Sequence, residues 1–259
     1  MGDLTDKLER AARGTVRALG FASPEPQRTA PILLLGIVKA GDAGQSTIAK
    51  KAGLDGLVFI PSEKAPKASI AKSVKSAESV TAGVWLEKAS ASLPDGGDFE
   101  IFSSIQTPLS ALNGEDRTLF MQVAAEMDDS LLRTIDLLPV DGFVVSIADA
   151  ATLDVGQLMR LARVRSATGR YLFVQLAQIP SKDEAEQLRD AGVSAIVLNV
   201  SDRTAKSLKE CRELMLQIPT QPVERGPRDH GNVRLPHVAG FNPSEPAPQA
   251  PDDDDWDED

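Results

Sequence analysis

Side chains able to do chemistry recur along this 259-residue chain at one kind of position, directly after a short apolar run. Lysine and glutamate at such positions can serve as nucleophile, acid or base, and these candidates are Lys39, Glu87 and Lys88. Amide and hydroxyl groups can hold a small polar ligand, and these candidates are Gln122, Ser146, Gln175 and Asn199. Glu126 and Asp149 are further carboxylates near the ends of such runs.

The two lysines are also the candidates for Schiff-base chemistry, which needs a lysine amine withdrawn from water. Lys39 and Lys88 each follow a predicted strand. Lysines at such positions are more often solvated or paired with a carboxylate, which here would be Glu63 or Glu87. The sequence leaves these alternatives open.

Several common catalytic groups are missing from the apolar, strand-rich part of the chain. Both histidines, His230 and His237, lie in a late proline-rich segment. Cys211 is the only cysteine, which excludes an intramolecular disulfide and a Cys/His zinc site. The segments 177–181 and 199–203 contain no glycine, so a glycine-bearing phosphate loop is not expected there.

Three segments, 53–62, 138–146 and 192–201, repeat one pattern: a tight turn, then an unbroken apolar run that stops at a small polar residue. Such runs are typical of parallel strands covered by helices on both faces. Eight strands are predicted, at 32–38, 56–61, 82–87, 99–103, 118–124, 142–147, 171–177 and 194–200. Helices are predicted at 43–53, 66–79, 128–138, 154–167, 181–191 and 202–217. The alternation predicts an α/β fold, a compact (βα)₈ TIM barrel over residues 31–218, with any site at the carboxyl ends of the strands.

The predicted barrel has a thin side and several helix signals. Residues 93–97 are too few for a full helix between the third and fourth strands, and the next helix is reduced to about 109–113. Ser181 with Glu184 forms a capping-box pattern, and Ser201 is also expected to be an N-cap. Residues 3–21 predict an amphipathic helix, within an N-terminal segment 1–30, that plugs one end of the barrel. Membrane-surface or partner binding is the alternative for this helix.

The last segment, 219–259, differs in composition from the rest. It holds eight of the seventeen prolines, which predicts an extended or disordered tail. Residues 252–259 carry seven acids and no base, so the rest of the chain accounts for only −3 of the net charge of −10. The aromatic Trp256 beside Asp254 and Asp255 suggests binding to a basic surface of another protein. A purely solubilising tail is the alternative.

One stretch resembles a known family. Phe120-Met-Gln-Val-Ala-Ala-Glu126 and the segment 140–149, which begins Val-Asp-Gly, are similar to the 2-keto-3-deoxy acid aldolase and citrate lyase β-type barrels of the pyruvate kinase-like superfamily. The resemblance implies a Mg²⁺-dependent enzyme acting on a keto acid. Gln122 takes the position of the family's strand glutamine and Asp149 that of its metal-binding turn aspartate. Asp149 and the nearby Glu126 are therefore the candidate metal ligands, and Mg²⁺ is the one possible cofactor. The family's metal-binding glutamate falls on Ala124, and its His and substrate-binding Arg have no counterpart.

Two functions follow from these observations. The first is an aldolase-like barrel with a degenerate active site that binds a small ligand or a partner, with low or no activity. The second is a Mg²⁺-dependent C–C lyase that uses Glu87, Glu126 and Asp149. The sequence has no basic run with interleaved aromatics, so nucleic-acid binding is not predicted. No apolar run is long enough to span a membrane. A cytoplasmic location is expected, and a homo-oligomer is compatible with the sequence.

Overall fold

The computed structural model describes residues 3–13, 29–61, 67–77, 80–88, 97–112, 118–148 and 152–220. Asp149 and the tail lie outside the described residues, and with them Trp256, Asp254, Asp255 and both histidines. The predictions about these residues therefore remain predictions. No helix in the described ranges is both long enough and apolar enough to cross a bilayer.

Eight parallel strands form a closed barrel in chain order, which confirms the predicted (βα)₈ fold. The strands are β1 (Leu33–Lys39), β2 (Gly56–Ile60), β3 (Thr81–Leu86), β4 (Phe99–Phe102), β5 (Leu119–Val123), β6 (Gly142–Ile147), β7 (Tyr171–Leu176) and β8 (Val193–Asn199). β1 pairs with β8, with Leu33 opposite Ala195 and Ile37 opposite Asn199. This pairing closes the barrel, as predicted.

The described residues include eight helices. They are α1 (Asp3–Arg13), α2 (Ala43–Ala52), α3 (Lys67–Ser76), α4 (Leu109–Leu112), α5 (Asp129–Ile135), α6 (Val155–Thr168), α7 (Lys182–Asp190) and α8 (Ala205–Gln217). The short α4 confirms the reduced helix after β4. Ser181 and Glu184 form the predicted capping box of α7. The N-cap prediction for Ser201 is wrong, because α8 begins later and Thr204 caps it.

The helix α1 plugs the amino-terminal end of the barrel, as predicted for residues 3–13, whereas residues 14–21 of the predicted helix lie outside the described residues. Its Leu4, Leu8 and Ala11 are buried in one apolar cluster with the residues that fill the barrel interior. Phe120 is the aromatic centre of that interior, stacked on Phe173 with ring centroids 4.2 Å apart. The helix α1 therefore covers the amino-terminal end of the barrel interior.

An Asp–Gly pair at the start of a strand accounts for two of the three repeated turns, those before β2 and β6. Asp141 Oδ2 accepts the Leu119 amide at 2.8 Å, which fastens the start of β6 to the start of β5. Asp55 Oδ2 accepts the Leu34 amide of β1 at 2.8 Å in the same way. Gly142 leaves room for the Phe120 ring, since a Cβ there would lie 2.8 Å from a ring carbon. The motif is structural and lies at the amino-terminal end of the barrel.

Candidate functional site

The barrel brings most of the predicted site residues to one end. We call this end the mouth, defined by the inward side chains at or just beyond the carboxyl ends of the strands: Lys39, Glu87, Ser103, Gln122, Ser146, Gln175 and Asn199. Each lies two residues after a side chain that packs inside the barrel. Successive strand side chains alternate between faces, so these residues continue the inward rows.

The inward side chains stack in layers of four, contributed by alternate strands, as in other TIM barrels. The strand registers define three consecutive layers. The lowest is wholly apolar and consists of Val58, Ile101, Val144 and Val197. The next consists of Ile37, Trp85, Gln122 and Gln175, and the third of Ile60, Ser103, Ser146 and Asn199. Polarity therefore begins at the second of these layers.

The polar groups at the mouth are concentrated on one side. Strands β4 to β8 contribute hydroxyl and amide groups to the two upper layers, whereas β1, β2 and β3 contribute Ile37, Ile60 and Trp85. Ser146 of β6 lies directly beside Gln175 of β7 in the strand register, and both are half-buried. A ligand here would meet uncharged polar groups on one side and an apolar surface on the other.

A hydrogen-bond chain links three neighbouring strands at the mouth. The Trp85 indole Nε1–H donates to Ser103 Oγ at 2.8 Å, and the Ser103 hydroxyl donates to Gln122 Oε1. An indole N–H can only donate, so Ser103 accepts there and gives its single proton to Gln122. The amide of Gln122 is thereby oriented with its oxygen toward Ser103. Its Nε2 group has no hydrogen-bond partner among the described residues.

Asn199 is oriented by a similar argument. Its Oδ1 accepts the Ser201 backbone N–H at 3.1 Å and the Ser201 hydroxyl at 2.9 Å. A backbone N–H can only donate, which requires the amide oxygen at that position. The exposed Nδ2 group of Asn199 is left without an acceptor in the described part of the chain.

The predicted catalytic residues lie at the outer edge of the mouth. Lys39 ends β1 and is exposed, and its backbone N–H donates to Gln45 Oε1 at 3.1 Å. Glu87 and Lys88 follow the last residue of β3, and both are exposed. The registers place Lys39 and Glu87 at one level above the three layers. Their catalytic roles stay predictions.

The predicted metal ligand Glu126 lies outside this arrangement. Strand β5 ends at Val123, and the Glu126 carboxylate pairs with Arg160 of α6 at 3.1 Å. A cation would have to compete with this guanidinium. No group of three or more potential ligand residues that could hold a metal occurs among the described residues, and Asp149 is not among them.

The ionisable network at the opposite end is structural. Thr81 and Lys7 both hydrogen-bond the Asp3 carboxylate, and these bonds, that of Thr81 first, lower the pKa of Asp3. Lys7 Nζ also donates to the Asp55 carbonyl at 3.1 Å. Burial raises the pKa of Asp55, although Arg212 acts in the opposite direction. These contacts hold α1 against the starts of β2 and β3, where TIM barrels carry stability determinants.

Sequence reasoning missed the role of Trp85. The signal was available, because Trp85 precedes Glu87 by two residues and therefore shares its inward face. The hydrogen bond from the Trp85 indole to Ser103 could not be predicted, because Ser103 follows a different strand. The hydroxyl donor that orients Gln122 became visible only when β3, β4 and β5 were placed side by side.

Comparison with other proteins supports the fold alone. No family model and no curated protein sequence matches this chain. A tryptophan synthase structure from M. tuberculosis is 12% identical, with a TM-score of 0.59 and coverage of 83% of this chain and 97% of that one. The (S)-3-O-geranylgeranylglyceryl phosphate synthase of Thermoplasma acidophilum is 13% identical, with a TM-score of 0.58 and coverage of 84% and 100%.

A third similar structure is a thiamine phosphate pyrophosphorylase from Pyrococcus furiosus, at 13% identity and a TM-score of 0.52, covering 71% of this chain and 95% of that one. The likeness of all three to this chain concerns the fold. Because identities this low carry no information on activity, they support neither the narrower 2-keto-3-deoxy acid aldolase resemblance nor a particular substrate.

Proposed function

We propose that this protein is an aldolase-like barrel that binds a small molecule at its mouth, with low or no catalytic activity. The observation that carries the proposal is the composition of the two upper layers. Neutral amide and hydroxyl side chains of β4 to β8 face Ile37, Ile60 and Trp85 across the barrel. Ligand sites usually combine an apolar wall with a few placed polar groups.

Low catalytic competence is supported by the chemistry of the same residues. The barrel segment 31–218 contains no histidine, the residue most often used for proton transfer near neutral pH. The half-buried groups at the mouth are neutral amides and hydroxyls, which orient a ligand but are poor general acids and bases. The charged Lys39 and Glu87 are exposed at the edge.

The test is a titration of ¹⁵N-labelled protein with a set of small polar compounds of neutral, cationic and anionic charge. We expect one or more of them to shift the side-chain amide signals of Gln122, Gln175 and Asn199. The same compounds should be recovered unchanged after incubation. Shifts confined to residues outside the mouth across the whole set would refute a ligand site there.

The alternative is a Mg²⁺-dependent lyase acting on a small keto acid. It is supported by the position of Lys39 and Glu87 at the same level of the mouth. Lys39 could polarise a carbonyl there, and Glu87 could transfer a proton. Glu126 and Asp149 would supply the metal ligands that the resemblance implies. Mg²⁺-dependent turnover of a keto acid, abolished by Asp149→Ala, would favour this alternative.

We also propose that residues 31–218 act as one barrel domain and that 219–259 is a separate tail. The tail's acids, with Trp256 flanked by Asp254, Asp255 and Asp257, would bind a basic surface of another protein. Binding of this kind weakens as salt shortens the Debye length. A pull-down comparing the full chain with a chain ending at Pro251, at low and high salt, tests the tail. Sedimentation of the full chain tests the homo-oligomer.

A further inference from the structure

We propose that the mouth selects ligands that carry a carboxylate and binds that group through amide N–H donors without a metal ion. We further propose that Trp85 is the positioning residue that sets this preference, acting through Ser103. The inference rests on the proposed function and specifies the ligand class of the same site. It is carried by the direction of the hydrogen bonds at the mouth.

The direction of these bonds is determined at both ends of the polar side. Ser103 accepts from Trp85 and donates its single proton to Gln122 Oε1, so turning that amide around would leave the Ser103 proton without this acceptor. The oxygen of Asn199 likewise accepts the backbone N–H of Ser201. Both amides are therefore left with NH₂ groups, and neither can rotate its oxygen toward a ligand without breaking a bond already made.

Lys39 is the charged group that would favour an anion at the Asn199 end of the mouth. It lies at the next level, on β1, the strand that pairs with β8 and Asn199. Its ammonium adds three further donors and a positive charge. Glu87, which follows β3 at the same level, would repel a second anionic group. A small ligand with one carboxylate and an apolar body fits this distribution.

Carboxylates accept from several N–H donors at once, and such charge-assisted bonds are stronger than neutral ones. Two amide NH₂ groups and an ammonium supply this without a cation. The proposal therefore differs from the Mg²⁺ alternative, in which a metal would orient the acid. Binding should persist when divalent ions are removed.

The experiment compares pyruvate with pyruvamide, its uncharged analogue of the same size, at constant ionic strength and with EDTA present. Side-chain NH₂ signals of Gln122 and Asn199 are assigned by their loss in Gln122→Glu and Asn199→Asp. We expect pyruvate to shift both signals and to bind at least about tenfold more tightly than pyruvamide. Equal affinity for the two probes, no shift with pyruvate, or shifts that require added Mg²⁺ would overturn the proposal.

Variants separate a positioning role from a merely structural one. Trp85→Phe keeps an aromatic ring but removes the N–H that holds the Ser103 hydroxyl. Ser103 can then turn its proton away from Gln122, and the preference for pyruvate over pyruvamide should fall by about fivefold or more as that amide becomes free to rotate. Ser103→Ala should have the same effect, and Ser103→Thr, which keeps the hydroxyl, should restore the preference. An equal weakening of both probes in Trp85→Phe would show that Trp85 only supports the fold.

Gln122→Glu replaces the NH₂ group with an anionic oxygen and should abolish pyruvate binding. Its matched control is Gln187→Glu, the same substitution at an exposed position of α7, which should leave pyruvate binding unchanged. Loss of pyruvate binding in the control as well would assign the effect to net charge and overturn the proposal. If neutral compounds shift the mouth amides while pyruvate does not, the carboxylate inference fails and the proposed ligand site stands.

Discussion

The guanidinium of Arg212 on α8 lies 2.8 Å from Asp55 Oδ1, and the other oxygen of that carboxylate accepts the Leu34 amide of β1 at 2.8 Å. The Asp55 side chain is only 11% exposed and that of Arg212 only 22%. One carboxylate thus joins the last helix of the barrel to the first strand. Breaking such a pair leaves a buried charge without its partner.

Arg212→Ala should lower the free energy of unfolding by roughly 2–3 kcal/mol at pH 7, somewhat less than for a fully buried pair because Arg212 keeps some exposure. The matched control is Lys209→Ala, which removes an exposed partner of Glu213 on the same helix at 3.9 Å and should cost less than about 1 kcal/mol. Denaturant unfolding of both variants measures the difference. Equal losses would contradict the prediction.

The cost of Arg212→Ala should also depend on pH. Burial already raises the pKa of Asp55 above its ordinary 3.8, and Arg212 opposes this rise, so removing Arg212 should raise the pKa further. A raised carboxyl pKa favours the folded state below the unfolded pKa, and that contribution is lost as pH rises through the folded pKa. The destabilisation should therefore be smaller below pH 3.8 than at pH 7. Unfolding curves across this range check the sign.

Cys211 should be unreactive in the folded protein. It is 1% exposed, and burial raises the pKa of its thiol from 9.0 to about 11. Roughly one thiol in a thousand would then be ionised at pH 8, and the thiolate is the reactive species. A thiol-specific reagent should react slowly with native protein and rapidly in denaturant. Modification of the native protein at the rate of free cysteine would contradict this burial.

Gly142→Ala should destabilise the barrel by roughly 2–3 kcal/mol through overpacking. The added Cβ would meet a Phe120 ring carbon at 2.8 Å, and the Tyr171 carbonyl is closer still. Gly156→Ala, in the first turn of α6, is the control, because its added Cβ would meet only the Asp154 carboxylate at 3.2 Å. Thermal unfolding should show a clearly larger loss for Gly142→Ala than for the control.

The plug helix should contribute to the stability of the whole barrel. Leu8→Ala removes a side chain that is 2% exposed inside the apolar cluster, and the expected cost is about 3 kcal/mol. Arg10→Ala, at an exposed position of the same helix, should change stability by less than about 0.5 kcal/mol. A cost for Leu8→Ala as small as the control's would mean that α1 does not pack in solution as described.

The barrel could be predicted from the amino-acid sequence. Strands covered on both faces need apolar side chains at nearly every position, and this local requirement produced the runs from which all eight strands and their order were predicted. Closure followed from the number of strands, and the position of the site followed from their common direction. The small differences in strand and helix bounds arise because end residues depend on caps such as Thr204, which compete with neighbours such as Ser201.

The organisation of the mouth depends on contacts between strands and could not be predicted from the sequence. Gln122, Gln175 and Asn199 could be named from strand ends, but their layers depend on the register between strands, which no single strand encodes. The direction of the Gln122 amide depends on Trp85 and Ser103, which lie on two other strands. Hydrogen-bond polarity belongs to the assembled contact, because an amide offers donor and acceptor equally until a neighbour occupies one of them.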